Sequence, residues 1–368
     1  MKRDLYIDFA KGFATLSVIF IHTVFWSGQY YVPTEVRILS LLIDVPLFYA
    51  LSGLTSSGKV EKTLFRLLKL QITYMIFVSL LFLLDYLFKV VGLWTVGLEG
   101  LKNFYSTFGS KYTPGSISQY PQWQNLGNWY LHRYTNADTF PVVMGSFWYL
   151  KVYFILTVLG VLVLRYLPKH IYWIIGLCLG LTLLFYLYPH YYPKGQVGYV
   201  TIYLAMFLCA HQLKGKKLSK SSIFLLYGGV AASLIWLFQS YGTEIFYRIN
   251  KEKFPPKIPY IVWTLFSLVT LFVLYNRLKI NKKNIVTFMG ENAIFFYFAQ
   301  GISSSLIYFV VVPFQDQVPW GLFLILIFAL NAVLAFAIAI LLKKVDDLGW
   351  NALRFLKEKT TPKVKDGL

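Results

Sequence analysis

Asp8, Lys11 and His22 share one short, otherwise apolar run, "DFAKGFATLSVIFIH", residues 8–22. On a helix turning about 100° per residue, Lys11 and His22 fall about 20° apart, and Asp8 about 60° from Lys11. One face can carry all three, directed into a bundle. The same geometry sets His22 about 16 Å along the axis from Lys11. Lys11 then reaches the interface on the N-terminal side, and His22 sits deep, in the far half of a bilayer. An ionisable group in that setting is costly, so function is the first explanation to test. Histidine takes and returns a proton near neutral pH, which suits a general base. The plainer explanations are a snorkelling Lys11 and a His22 hydrogen-bonded to a neighbouring helix.

Two later stretches add chemistry. "LLIDVPLFYALSG" places Asp44 about eight residues in from the outer end of its apolar run. His22 lies about four residues in from the outer end of the first run, so Asp44 can reach the imidazole and orient it. Pro46 frees a backbone carbonyl nearby, a feature tolerated where polar groups line a cavity. A pairing of Asp44 with some other residue, for stability, is the competing expectation. In "SSGKVEKTLFRLLKLQ", Arg66 and Lys69 are three positions apart and share a helix face. Such a pair can grip phosphate, or can simply end a membrane span.

The elements that must position these residues are membrane helices. The 368 residues are 57% hydrophobic and 14% charged, against roughly 25% charged in a soluble domain. Apolar runs of spanning length fall at about 5–26, 36–54, 70–90, 147–165, 171–188, 197–213, 222–240, 258–276, 286–312 and 320–342. The ninth is long enough to be tilted or broken. The expected fold is therefore all-α, a polytopic bundle of about ten spans. It occupies residues 1–345, followed by a basic tail, 346–368. The basic start is read as a retained first helix, because no cleavage site follows it.

The net charge of +19 follows the topology. The N-terminal end with Lys11, segments 55–69, 165–170, 214–221 and 277–285, and the tail from 343 hold 24 of the 35 Lys and Arg residues. That alternation puts both termini in the cytoplasm. It leaves no groove-reading motif, so no nucleic-acid partner is expected. Cys178 and Cys209 lie in apolar runs and suit core packing; no metal site is expected. Residues 91–146 read as a long outer loop rich in Tyr, Trp, Asn and Gln. Its aromatic faces and amides suit sugar rings, or an interfacial aromatic belt.

Taken together, these stretches resemble the acyltransferase-3 family of integral membrane acyltransferases, from residue 3 to about 342. "RDLYIDFAKGFATLSVIFIH" is similar to the family pattern of Asp, a basic residue three positions on, Gly, an apolar run and His, with Asp8, Lys11, Gly12 and His22 in those positions. "VPLFYALSG" resembles its apolar–Phe–aromatic stretch ending in Ser52 and Gly53. "RLLK" resembles its Arg-x-x-Arg, "FWYL" at 147–150 its Trp-aromatic-Leu motif, and "GENAIFFYFAQ" a later Gly…Ile-x-x-Tyr stretch. The sequence also departs from the family. Lys151 and Tyr153 stand where some members carry an acid, Gln300 where a His is frequent, and Lys11 and Lys69 where Arg is frequent. Lysine lacks the bidentate fork of arginine. Asp44 or Glu291 could replace the acid, although Glu291 also reads as a helix cap.

The resemblance implies transfer of an acyl group, usually acetyl, from cytoplasmic acyl-coenzyme A to a hydroxyl of a cell-surface or lipid-linked glycan, in a bacterial inner membrane. Exopolysaccharide and capsule are acceptors of this kind. Arg66, Lys69, Lys11 and Arg3 would hold coenzyme A phosphates. His22 would be base or acyl carrier, with Asp44 orienting it. Asp8, Ser52, Trp148, Tyr149 and Glu291 would lie near the substrates. The partners expected are acyl-coenzyme A, the glycan and membrane lipids, and a homo-oligomer is left open. A transporter or flippase of lipid-linked sugars, or a glycan polymerase, also accounts for a polar face in a ten-span bundle. Neither accounts for the cytoplasmic basic pair.

Overall fold

The computed structural model describes residues 4–106, 123–131, 139–193, 197–275 and 277–360. All regular structure among them is helical. In chain order the helices are α1 Leu5–Phe25, α2 Thr34–Ser40, α3 Val45–Thr55, α4 Val60–Ser106, α5 Trp123–Leu131, α6 Pro141–Ser146, α7 Trp148–Tyr166, α8 Ile171–Leu187, α9 Val197–Leu213, α10 Lys220–Tyr241, α11 Glu244–Arg248, α12 Ile258–Leu274, α13 Ile285–Glu291, α14 Ala293–Leu306, α15 Tyr308–Phe314 and α16 Trp320–Thr360. Eight helical stretches are long and apolar enough to cross a membrane, and α9 and α12 are shorter apolar helices. Together they coincide with the ten runs expected. The fold is an all-α polytopic bundle.

Local chemistry sets the helix starts. The Asp4 carboxylate accepts from the Tyr6 and Ile7 backbone N–H groups at 3.0 and 3.4 Å, which caps α1. Asn284 and Thr287 form a reciprocal capping box at the start of α13. The second run breaks between α2 and α3, with Asp44 at the junction and Pro46 in the first turn of α3. The long ninth run is broken twice, at Asn292 and Ile307.

The long outer loop expected over 91–146 needs correction. α4 continues past the expected span to Ser106. Gly97, at φ 68°, breaks it, and Leu101 beyond the break is buried with Val142 and Tyr308. Part of 123–131 turns inward. α5 lies along α4: Gln71 donates to the Tyr130 carbonyl at 3.0 Å and the Tyr74 hydroxyl to the Trp129 carbonyl at 2.9 Å. Trp129 is buried against Phe82. These two aromatics are bundle packing, not a sugar platform. Residues 107–122 and 132–138 of that loop lie outside the described ones, as does Arg3. At the other end, α16 carries the first part of the basic tail as helix, through Thr360.

Two backbone approaches hold α1 and α3 in place. A Cβ at Gly12 would lie 1.8 Å from the Val286 carbonyl oxygen, and one at Gly290 would lie 1.7 Å from that of Asp8. α1 and α13 thus touch backbone to backbone at a reciprocal glycine pair. A Cβ at Gly53 would lie 2.1 Å from the Phe207 carbonyl oxygen, which fixes α3 against α9. A backbone carbonyl cannot rotate away as a side chain can, so added volume must separate whole helices. Gly290→Ala is expected to destabilise the detergent-solubilised protein by about 3 kcal/mol, the upper end for overpacking. Thermal unfolding followed by size-exclusion fluorescence will measure it, with Gly176→Ala, which meets nothing within 4 Å, as the tolerated control.

Candidate active site

His22 lies in the last turn of α1. The short helix α6 and the helix α14 converge on it. Gly145 lets α6 approach: a Cβ there would meet the Trp26 ring at 2.3 Å. Gly301 does the same on α14, where a Cβ would meet the Val143 side chain at 2.9 Å. The next residue of α6, Ser146, then brings its Oγ to 3.5 Å from His22 Nδ1, the long edge of hydrogen-bonding range. The Ser146 hydroxyl donates to the Val142 carbonyl at 2.6 Å. Gln300 Nε2 donates to the Ser146 Oγ at 3.3 Å. The Tyr297 hydroxyl donates to the Ser146 carbonyl at 2.7 Å.

This arrangement selects a tautomer. With its only proton committed to Val142, the Ser146 Oγ can only accept from the imidazole. An imidazole bonded to it there carries a hydrogen on Nδ1. Gln300 is fully buried, and its Oε1 has no hydrogen-bond partner. A buried amide with spare acceptor capacity beside an imidazole offers a place for a polar ligand atom.

Asp44 does not orient His22 directly, contrary to the expectation from spacing. Its two carboxylate oxygens lie 3.1 and 2.8 Å from the Lys253 ammonium, and the Tyr260 hydroxyl donates to Oδ2 at 2.8 Å. The ion pair is buried on both sides. The physical reason is charge matching: a carboxylate at this depth needs a full cation, and Lys253 offers one where a neutral imidazole cannot. Asp44 and Lys253 still lie close enough to act on His22 electrostatically. Between the two groups stands a tyrosine cluster. Tyr49 stacks on Tyr203 at 4.3 Å, and Tyr149 lies 5.1 Å from Tyr49 and 5.6 Å from Tyr297. The Tyr49 hydroxyl is buried without a partner, and the Tyr203 hydroxyl lies against that of Tyr260.

The other expected residues scatter. Tyr149 belongs to the tyrosine cluster. Trp148 packs on Tyr199 and Phe254 and lies 5.9 Å below the Lys253 ammonium. Asp8 is buried, and both it and Lys11 are engaged by other groups. Ser52 donates back to the Phe48 carbonyl at 2.8 Å within its own helix. Glu291 pairs with Lys283 at 3.0 Å. Arg66 is exposed, while Lys69 rests over the Trp350 ring of α16 at 5.4 Å. Ser146, Tyr297, Lys253 and Tyr260 were not expected from sequence. Gln300 stood out only as the place of a frequent His. Lys253, in "NKEKFPPK", was one basic residue among several in an outer segment, with nothing local to mark it as buried.

The family model of the acyltransferase domain, Acyl_transf_3, matches residues 4–342. The chain belongs to the acyltransferase-3 family. No curated protein and no solved structure matches it.

The buried ion pair yields a stability test. Removing the carboxylate in Asp44→Asn leaves Lys253 uncompensated and is expected to cost about 3–5 kcal/mol. Replacing both partners, as Asp44→Asn with Lys253→Met, is expected to recover most of that loss. Melting curves of the two single variants and the double variant will check the coupling. Additive losses would show that the two side chains do not depend on each other.

Proposed function

We propose that the protein is an O-acyltransferase that moves an acyl group, acetyl in the simplest case, from acyl-coenzyme A to a hydroxyl of a cell-surface or lipid-linked glycan. The membership of the acyltransferase-3 family supports acyl transfer. The observation that carries the mechanism is the buried His22, with Nδ1 turned to Ser146 and the Gln300 amide beside it. By the charge bias the basic loops face the side where coenzyme A is made, which supports a bacterial inner membrane as the setting. Arg66, exposed on that face, and Lys69, Lys11 and Arg3 are the cations assigned to coenzyme A phosphates.

In the proposed step, Nε2 of His22 takes the proton of the acceptor hydroxyl as its oxygen attacks the thioester carbonyl. The new C–O bond forms and the C–S bond breaks. The coenzyme A thiolate leaves and receives the proton from the imidazolium, so His22 ends as it began. Ser146 faces Nδ1 through the cycle, and the Gln300 amide and the Tyr49 hydroxyl supply neutral polar groups where charge develops. Lys253, held by Asp44, adds a positive field on the same side.

The test uses membranes from cells that make the protein, given radiolabelled acetyl-coenzyme A, with label followed into the surface glycan. His22→Ala is expected to lower transfer by about 10²–10⁴-fold, the range for loss of a general base, while the purified variant still binds acetyl-coenzyme A. Ser146→Ala removes the group that fixes the tautomer and is expected to lower transfer less, by about tenfold, through the same pH range. A folded His22→Ala protein with full transfer would sink the mechanism. A wild-type protein that binds no acyl-coenzyme A would return the lipid-linked sugar transporter.

A further inference from the structure

A cavity of about 700 Å³ opens on the face opposite the basic loops. The turn after α8 and the start of α9 form one wall, with Tyr186, Tyr192 and Tyr199. The segment from the end of α10 to the start of α12 forms the other, with Arg248, Glu252 and Lys257. The Tyr186 and Tyr241 hydroxyls bond to each other across the two walls. The Tyr192 hydroxyl donates to the Gly198 carbonyl at 3.0 Å, which closes the turn. Burial raises the Tyr192 hydroxyl above its ordinary value, with Tyr199 adding to the shift, so it stays a donor at neutral pH.

The lining combines two chemistries. Aromatic rings alone at this level would suit an interfacial belt. A belt facing lipid does not carry a buried carboxylate with two cations. Glu252 is buried and holds Lys257 at 3.1 Å, while Arg248 stands 3.9 Å away with its side chain 62% exposed. That distance is too long for a hydrogen bond, so the guanidinium can turn its donors to a ligand in the cavity it lines. Rings that take the C–H face of a sugar, beside a fixed carboxylate and a guanidinium that take its hydroxyls, are the needs of a carbohydrate site. The volume lies within the range of ligand pockets.

Packing contacts link the cavity wall to the ion pair near His22. Tyr199 lies 5.2 Å from Trp148, ring to ring. Trp148 lies under the Lys253 ammonium, and Lys253 follows Glu252 in the chain. One side chain of that dipeptide turns to the cavity and the next turns to Asp44. We infer that this outward cavity binds the acceptor glycan, with Tyr192 and Tyr199 stacking on sugar rings and Arg248 and Glu252 holding hydroxyls. The inference rests on the acyltransferase reading and adds where the acceptor sits.

The experiment compares wild type with Arg248→Gln, Tyr199→Leu and the cavity-blocking Pro189→Trp in cells that make the protein. Two quantities are read: the O-acyl content of the surface glycan, and acetyl-coenzyme A binding by the purified protein. Glycan acylation is expected to fall about tenfold in Arg248→Gln, the loss of one charged hydrogen bond, and further in Pro189→Trp. Donor binding is expected to hold in all three. Unchanged acylation in Arg248→Gln and Pro189→Trp would overturn the cavity assignment and leave the acyltransferase reading standing. Joint loss of acylation and donor binding would also overturn it, because the residues would then support the whole bundle. Acyl label found in membrane lipid instead of glycan would assign the cavity to a lipid headgroup and overturn the sugar. A wild type that neither binds acetyl-coenzyme A nor acylates glycan would defeat the underlying reading itself.

Discussion

A carboxylate placed at bilayer depth must be neutralised, and Asp44 finds its cation outside its own helix, on Lys253. The rest of the polar interior is arranged around that bond. It draws the segment after α11 down onto the ends of α3 and α12, where the Tyr260 hydroxyl completes the carboxylate's contacts. Desolvating both charges costs several kcal/mol each, and the pair survives only because its geometry is close and its remaining lone pair is taken. The neighbouring Glu252 and Lys257 are held in register by the same anchoring, and they form a wall of the outward cavity. A change at Asp44 therefore reaches both His22 and that cavity.

Because Lys253 claims the carboxylate, His22 is left with neutral partners. Spacing alone could not show this. Asp44 and His22 sit at similar depth on adjoining spans, and a His–carboxylate pair was the natural reading. What decided the outcome is a lysine more than two hundred residues away in sequence. A histidine held by Ser146 and Gln300 differs in kind from one held by a carboxylate.

The bundle itself was legible in the sequence. A twenty-residue apolar run can bury its backbone polar groups only as a helix, and the alternation of Lys and Arg needs no tertiary information. Asp8, Lys11, Gly12 and His22 were legible as a set because one helix face joins them. Gly12 acquires its meaning only with Gly290, whose distance in sequence hides the backbone contact. The outer loop misled for a related reason. Its Tyr, Trp, Asn and Gln content reads as polar and exposed, yet the Trp129 and Tyr130 carbonyls serve as acceptors for Tyr74 and Gln71 inside the bundle. Composition does not reveal which backbone groups a buried donor on another helix will claim.

The contact at His22 further requires that α6 be held, since that helix is under two turns long and cannot be stable alone. Its anchor lies on α4. Asp85 and Lys89 form a buried ion pair at 3.0 Å, and Asp85 accepts from the Thr139 backbone N–H at 3.1 Å and from the Thr139 hydroxyl. On the other side Ser305 accepts from the Val142 N–H at 3.2 Å. Asn331 ties Thr23, the residue after His22, to Ser304, with both contacts at 2.9 Å. The imidazole and the hydroxyl facing it are thus each fixed by hydrogen bonds to helices other than their own. In a medium without water, breaking any of these bonds leaves a polar group unpaired, so the network resists the small displacements that would open the 3.5 Å contact between Ser146 and His22.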